Sequence, residues 1–498
     1  MRCGSASSLG VSRCATLPVV DVEDRVGRRA EQVDAIELFS VLWALAAVWH
    51  LLGNPTGASG WSQGLLVAGV AAVLLRPGAP AALGALALAG LITVWDEAPV
   101  IGNHWLLAGF VNLGIVGAVL TGVLRRRPHD RLDLANRVLP MARLSLLGFY
   151  AFAAFAKLNT DFFDRSVSCA VVFYRESTDS LGLTGLQLGG AAWVEHLVIV
   201  ATVAIEVSIP ILLLLPRTRR VGVVVALVFH ELLALDRSHQ FFDFQAVVYP
   251  LFLLFLPASC GAWVAERVGS VRARLALRGG QVPQRVHLVL AAVPVAVGLL
   301  VALDALSRSE ALQVGWWPWQ VYAAVTVVAV VRFLRQERVA PAVLLIPHHA
   351  LFAVVPLLVV LNGLTPYLEL KTGFAWNMYA NLRTVDGETN HLLLPGTLPL
   401  TSEHADLVEI VDTDDAGLAR YAASDYALTW RALRTYLSDR PDVRITYRRG
   451  GETVRLDRAG DDPELVRPVP GWRDKIQLFR AVDLRSPERC VPTWGPAR

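Results

Sequence analysis

Between Ala35 and Leu361 the chain returns again and again to apolar runs of roughly 15 to 22 residues. That is the length needed to cross a hydrocarbon core of about 30 Å. The runs at 104–124, 193–215 and 286–306 are apolar on every face rather than striped, as helices in contact with lipid are. Composition agrees, because 54% of residues are hydrophobic and only 18% charged, where a soluble domain averages about 45–50% apolar. The expected fold is an all-α polytopic membrane bundle of about eleven transmembrane helices over residues 35–361. The two shortest crossings fall at 65–75 and 81–95.

Charge sets the expected orientation. Residues 1–34 carry five arginines and no apolar core of the length a cleavable signal needs, so they read as a disordered cytoplasmic tail. Arginines then fill alternate connections, at 76, 125–137, 217–220, 267–285 and 332–338. The intervening connections are acidic, mixed or neutral. Positive-inside bias places the N-terminus in the cytoplasm of a plasma-membrane protein, and an odd number of crossings puts residues 362–498 outside. The formal charge of +3 gives no basic face for nucleic acid, since the arginines sit in short loops.

After Leu361 the composition changes, and residues 362–498 read as a small extracytoplasmic α+β domain. A strand is expected at 406–411 and a helix at 426–437, with 443–447 and 452–456 as a hairpin about an Arg-Gly-Gly turn. The five cysteines form no metal-ligand spacing. Cys169 and Cys490 both fall on the outer side, where a disulfide persists; two unpaired thiols fit the sequence equally well.

An ionisable side chain at bilayer depth is costly unless paired or hydrated, which makes each one a functional candidate. Lys157 ends the fifth apolar segment and is one of only three lysines among 46 basic residues, with Lys371 and Lys475. Where a plain positive charge suffices this chain uses arginine, so a retained lysine draws attention: lysine can be deprotonated and arginine cannot. The bland reading is a lysine snorkelling to the interface. His230 and Glu231 lie in the seventh segment, followed by Asp236, His239 and Asp243. No HExxH is present and the spacing of His230 to Asp236 is not that of a helical metal pair, which favours a hydrogen-bonded histidine lining a polar cavity over a zinc ligand. Glu206 stands mid-segment and is expected to pair with a polar group on a neighbouring helix. His348 and His349 sit in the last segment about 100° apart, one lining and one structural. Asn103-His104 opens the fourth segment beside Asp96 and Glu97. These groups gather at the outer ends of the segments, which fits a chamber opening outward better than a pathway through the membrane.

Four stretches resemble the vitamin K-dependent gamma-carboxylase family, in its bacterial branch of horizontally transferred transmembrane (HTTM) proteins. They are Ala156-Lys-Leu-Asn-Thr-Asp-Phe162; Phe229-His230 with Phe-Phe-Asp-Phe244; Asn103-His-Trp-Leu106; and the segment from Leu361-Asn-Gly-Leu-Thr-Pro-Tyr367 through Met378-Tyr-Ala-Asn-Leu382 to Asn390-His391. The likeness runs over about 36–447, and its most specific parts are the Lys-Leu-Asn and the Pro-Tyr to Met-Tyr-Ala-Asn-Leu stretches. The resemblance implies a catalytic lysine that deprotonates a reduced naphthoquinone, vitamin K hydroquinone or menaquinol. The quinol then reacts with O2 and leaves as its epoxide, while CO2 adds to a glutamyl carbanion. Lys157 matches the lysine and His230 a histidine facing the same chamber; Asn103, His104, Phe229 and Asp243 would line the cofactor site. Burial at the dry end of a helix disfavours the charged amine, as a base requires.

Two departures stand out. Residues 112–127 lack the second Asn-His pair of the animal members, and the tail is much shorter than their lumenal region. The quinol-oxidising half of the likeness is therefore the stronger expectation, with a glutamate-containing peptide as the acceptor in the other half. The alternative is a non-catalytic quinone- or lipid-binding protein in which Lys157 is an anchor. A transporter fits less well, for the sequence shows no inverted repeat.

Overall fold

In the computed structural model, described for residues 19–54, 59–237, 239, 241–277, 307–337 and 345–490 with three more between 278 and 306, the chain is mostly helical. The bundle comprises α1 (Val19–Gly53), α2 (Gly60–Leu75), α3 (Pro80–Glu97), α4 (Asn103–Leu124) and α5 (Arg131–Ala156). Two short helices follow, α6 (Thr160–Phe163) and α7 (Cys169–Ser180), and then α8 (Ala192–Leu214), α9 (Arg219–Ala234), α10 (Phe241–Leu253), α11 (Ser259–Leu277), α12 (Arg308–Gln336) and α13 (Val354–Leu364). Among the described residues six helices are long and apolar enough to cross a membrane: Arg29–Gly53, Pro80–Glu97, Asn103–Leu124, Arg131–Ala156, Ala192–Leu214 and Leu312–Gln336. The structure thus shows an α-helical bundle with several membrane-length apolar helices. Gly60–Leu75, Phe241–Leu253 and Ala350–Leu364 are shorter apolar helices, and the run at 286–306 lies outside the described residues.

Two expectations are corrected. Residues 19–34 are helical rather than irregular, because α1 begins at Val19. No proline stands between Val19 and Gly53 to interrupt the helix. His348 and His349 precede the last helix instead of lying within it. His349 caps a 3-10 turn at Ala350–Ala353, and its Nε2 lies 2.9 Å from the Arg125 guanidinium.

α1 and α5 form the centre of the bundle. The first packs on α2, α5, α10 and α11, the second on α4, α8 and α13. Their shared core is dry, with Phe39, Trp43, Leu146 and Phe149 buried. Arginines close the other helices at one end. Arg143 Nε donates to Leu254 O at 2.8 Å and Arg219 Nε to Leu213 O at 2.9 Å, so guanidinium donors satisfy carbonyls that the helix ends leave open.

Beyond α13 the chain crosses the opposite end of the bundle in an irregular segment, then builds a small sheet. A two-residue pair, β1 (Thr384–Val385) and β2 (Glu388–Thr389), precedes five antiparallel strands in the order β6-β5-β3-β4-β7. These are β3 (Leu407–Thr413), β4 (Tyr426–Thr429), β5 (Ile445–Arg449), β6 (Glu452–Leu456) and β7 (Val482–Asp483). The expected hairpin is β5–β6, and its turn places Gly450 and Gly451 at φ 56° and 83°, a conformation glycine adopts without cost. The expected helix at 426–437 divides: Tyr426–Thr429 is a strand buried along its whole length, and only Trp430–Leu437 is helical. A strand covered on both faces shows no alternation, so it extended the apolar pattern of the helix it precedes. Cys169 and Cys490 form a disulfide across 321 residues, which settles the pairing the sequence left open.

Candidate functional site

Lys157 caps the C-terminus of α5, and its side chain turns back along its own helix. The amine reaches Ala153 O at 3.4 Å and the Glu206 carboxylate of α8 at 2.8 Å, with both side chains close to fully buried. A snorkelling lysine would extend the other way, toward water. On the same face of α5, one and two turns back, stand Ala153 and Tyr150. The Tyr150 hydroxyl is hydrogen-bonded to His230 Nε2 of α9, and that imidazole is 98% buried and within electrostatic reach of Lys157. Lys157, Glu206, Tyr150 and His230 therefore form one buried group where α5, α8 and α9 meet. Phe252 and Phe244 close it with rings 5.5 Å and 5.1 Å from the imidazole.

Phe244 is shared with a second buried group. Its other side meets His104 edge-on at 5.7 Å. His104 opens α4, Asp243 opens α10, His50 lies in the last turn of α1 and Glu97 ends α3. Asp243 Oδ2 stands 3.0 Å from His50 Nδ1 and 3.0 Å from His104 Nε2, while His50 Nε2 meets Glu97 Oε1 at 3.0 Å. The His50 ring lies flat against Trp105, 3.6 Å between centroids. The approach of α1 to α10 needs a glycine at 53, since a Cβ there would stand 2.9 Å from that of Asp243.

The remaining expected residues have structural partners. Asn103 accepts a hydrogen bond from the Trp376 backbone at 3.1 Å and so holds the irregular segment after α13. Phe229 is core, edge-on to His230. Asp161 accepts from the Glu488 backbone at 2.7 Å. Asp236 and His239 bond each other at 3.1 Å beside Glu176, a third and more exposed group.

Two participants, Tyr150 and His50, were not singled out in the sequence, and Glu97 was named there without its partner. Tyr150 lies on the same helix seven residues before Lys157, but an aromatic among aromatics gives no signal. His50 is a lone histidine whose partners are 193 and 47 residues away. Glu97 is visible as an acid beside the fourth segment, without indication of which helix it faces.

The stretches after α13 meet the Lys157 region directly. Leu392 N donates to Leu158 O at 2.8 Å, Thr160 N to Asn390 O at 3.0 Å, and Asn159 Nδ2 to Ala380 O at 2.6 Å. In this segment Glu369, Phe374, Trp376, Tyr379 and Asn381 all have positive φ. Such residues cost energy and persist only where the surroundings fix them. A cavity of about 350 Å³ separates α4 from the C-terminal region, walled by Leu106, Phe110 and Leu478 and carrying Lys371 and Lys475. Burial pushes the Lys371 amine down to about 8. Neither Lys157 nor His230 is among its walls. The chain matches no family model, no curated protein and no solved structure.

Proposed function

We propose that this chain is a plasma-membrane enzyme that oxidises a naphthoquinol with O2, with Lys157 as the base, and that it resembles the vitamin K-dependent gamma-carboxylases. The observation that carries this reading is the course of the Lys157 side chain: inward, buried, and held against Glu206 instead of released to the interface. Lys157 would take the proton of a quinol hydroxyl, with the Glu206 carboxylate at 2.8 Å holding the amine in place. Tyr150 and His230 would orient the bound ring. The hydrogen bonds between the Lys-Leu-Asn stretch and Asn390–Leu392 support treating the resembling stretches as parts of one site.

In the reaction proposed, four electrons pass from the quinol to O2. One oxygen atom stays as the 2,3-epoxide, and the other leaves as water with the two hydroxyl protons. Where a glutamate is present, the alkoxide formed on the way removes its γ proton, and CO2 takes the carbanion's electron pair. On this proposal the N-terminus lies in the cytoplasm and residues 362–498 outside; the arginine-rich connections and the Cys169–Cys490 disulfide, a bond that lasts in an oxidising compartment, support it.

The test is to supply the purified protein with reduced vitamin K or menaquinol and O2 and to measure epoxide. Wild type should form it, and Lys157→Ala should lose about 10²–10⁴-fold of the rate, the usual contribution of a general base. Absence of epoxide from folded wild type with both quinols would return Lys157 to the role of a buried structural cation.

A further inference from the structure

We propose that His50, His104 and Asp243 bind a divalent first-row transition-metal ion, with Glu97 fixing His50 from behind. The three residues come from the ends of three helices, α1, α4 and α10, and each offers a donor atom within 4.8 Å of the others. Both imidazole nitrogens stand 3.0 Å from Asp243 Oδ2. Ligands at about 2.0–2.2 Å from a metal are spaced roughly 3 Å apart, so these contacts are the distances between neighbouring ligands of one ion.

Hydrogen bonding alone does not account for the group. His104 Nε2 is buried 3.0 Å from the Asp243 carboxylate, and Glu97 Oε2 is buried without a hydrogen-bond partner among the described residues. A closed polar network leaves few such atoms unpaired. Two imidazole nitrogens and a carboxylate oxygen within 4.8 Å of one another supply the convergent donors that an ion between them requires. Charge points the same way, because Glu97 and Asp243 bring two carboxylates into a buried site, and a divalent cation neutralises them while both imidazoles stay neutral and keep a lone pair for the metal.

The surroundings are also those of a metal site. A ligating histidine commonly gives its second ring nitrogen to a carboxylate, which sets its tautomer and orientation; Glu97 meets His50 Nε2 in that position at 3.0 Å. Trp105 stacks on the same ring. Two imidazoles and one carboxylate suit zinc, ferrous iron or manganese, and three protein ligands leave a coordination position open. His104, 14% exposed, is the point of entry.

The test is a titration with Co²⁺ of wild-type protein purified in detergent and stripped with chelator, following the visible d–d absorption, with elemental analysis of the unstripped protein. Wild type should bind about one equivalent and release it to Zn²⁺. His104→Ala and Asp243→Asn should each weaken binding at least about 100-fold, and Glu97→Gln about 10–100-fold. Glu176→Gln, in the more exposed group, should bind as wild type does. Lys157→Ala should keep the ion, so the site stands or falls apart from the quinol reaction. A wild type that shows no d–d band, or folded Asp243→Asn that retains full stoichiometry and affinity, would overturn the assignment. Should the variants not fold, the wild-type titration decides it.

Discussion

A lysine at a helix end ordinarily sends its amine to the headgroups, whereas Lys157 spends its length reaching Glu206. Removing one partner of such a buried pair leaves a charge uncompensated, at a cost of about 3–5 kcal/mol, while replacing both by apolar groups is often neutral. Glu206→Leu alone should therefore lower the thermal midpoint in detergent strongly, and Lys157→Met with Glu206→Leu should recover most of the loss; equal midpoints for single and double variants would deny the pair. His404 offers a second test at this scale. It is fully buried, stacks on Phe479 at 4.8 Å, and has neither ring nitrogen hydrogen-bonded among the described residues. Burial pushes it down from 6.5 to about 4. The folded state thus holds it neutral, so its contribution is complete above pH 6.5 and is lost as pH falls toward 4, roughly 3 kcal/mol in all. His404→Leu should flatten the loss of thermal stability between pH 6.5 and 4; an unchanged acid profile would contradict this. The scarcity of lysine made Lys157 legible in the sequence, and its burial made Glu206 legible as a residue needing a partner. Their pairing was not, because helix order in a bundle does not fix which faces meet.

Short elements after α13 do more than link two domains. Asn381, at φ 52°, accepts from Cys169 N at 2.9 Å and donates to Val167 O at 2.9 Å and to Glu488 O at 2.8 Å. One side chain thus joins the loop after α6, the irregular segment and the C-terminus. Asn381→Ala removes all three bonds and the residue's tolerance of that conformation, for a predicted loss of about 2–4 kcal/mol. Asn381→Gly, which restores the backbone freedom alone, should recover only part of it. Unfolding by denaturant would show the difference, and an alanine variant as stable as wild type would refute it. The resembling stretches were legible as patterns, and their hydrogen bonds to one another were not. The irregular segment follows no period, and its positive-φ residues include Trp376 and Phe374, which give no turn signal.

At the scale of the whole molecule, the alternation of arginine-rich and arginine-poor connections was legible, as was the change of composition after the bundle. The number of crossings was less so, since a run such as Phe241–Leu253 fits a short span and a buried helix alike. The disulfide ties the C-terminus to α7 across the end of the bundle that holds Lys157 and His50. Cys169→Ser, with Cys3, Cys14 and Cys260 also changed to Ser, should cost about 2–5 kcal/mol and leave the partly exposed Cys490 open to a membrane-impermeant thiol reagent applied from outside the cell. Labelling only after the membrane is breached would reverse the orientation proposed.

The central claim is that Lys157 acts as a base and not as a fixed cation, and Lys157→Arg separates the two. Arginine can keep the pair with Glu206 and cannot be deprotonated. The measurement is epoxide formed from reduced naphthoquinone and O2 by wild type and by folded Lys157→Arg in the same detergent. The account predicts epoxide from the wild type and a loss of about 10²–10⁴-fold in the variant. Arginine enzyme that forms epoxide at the wild-type rate would contradict it.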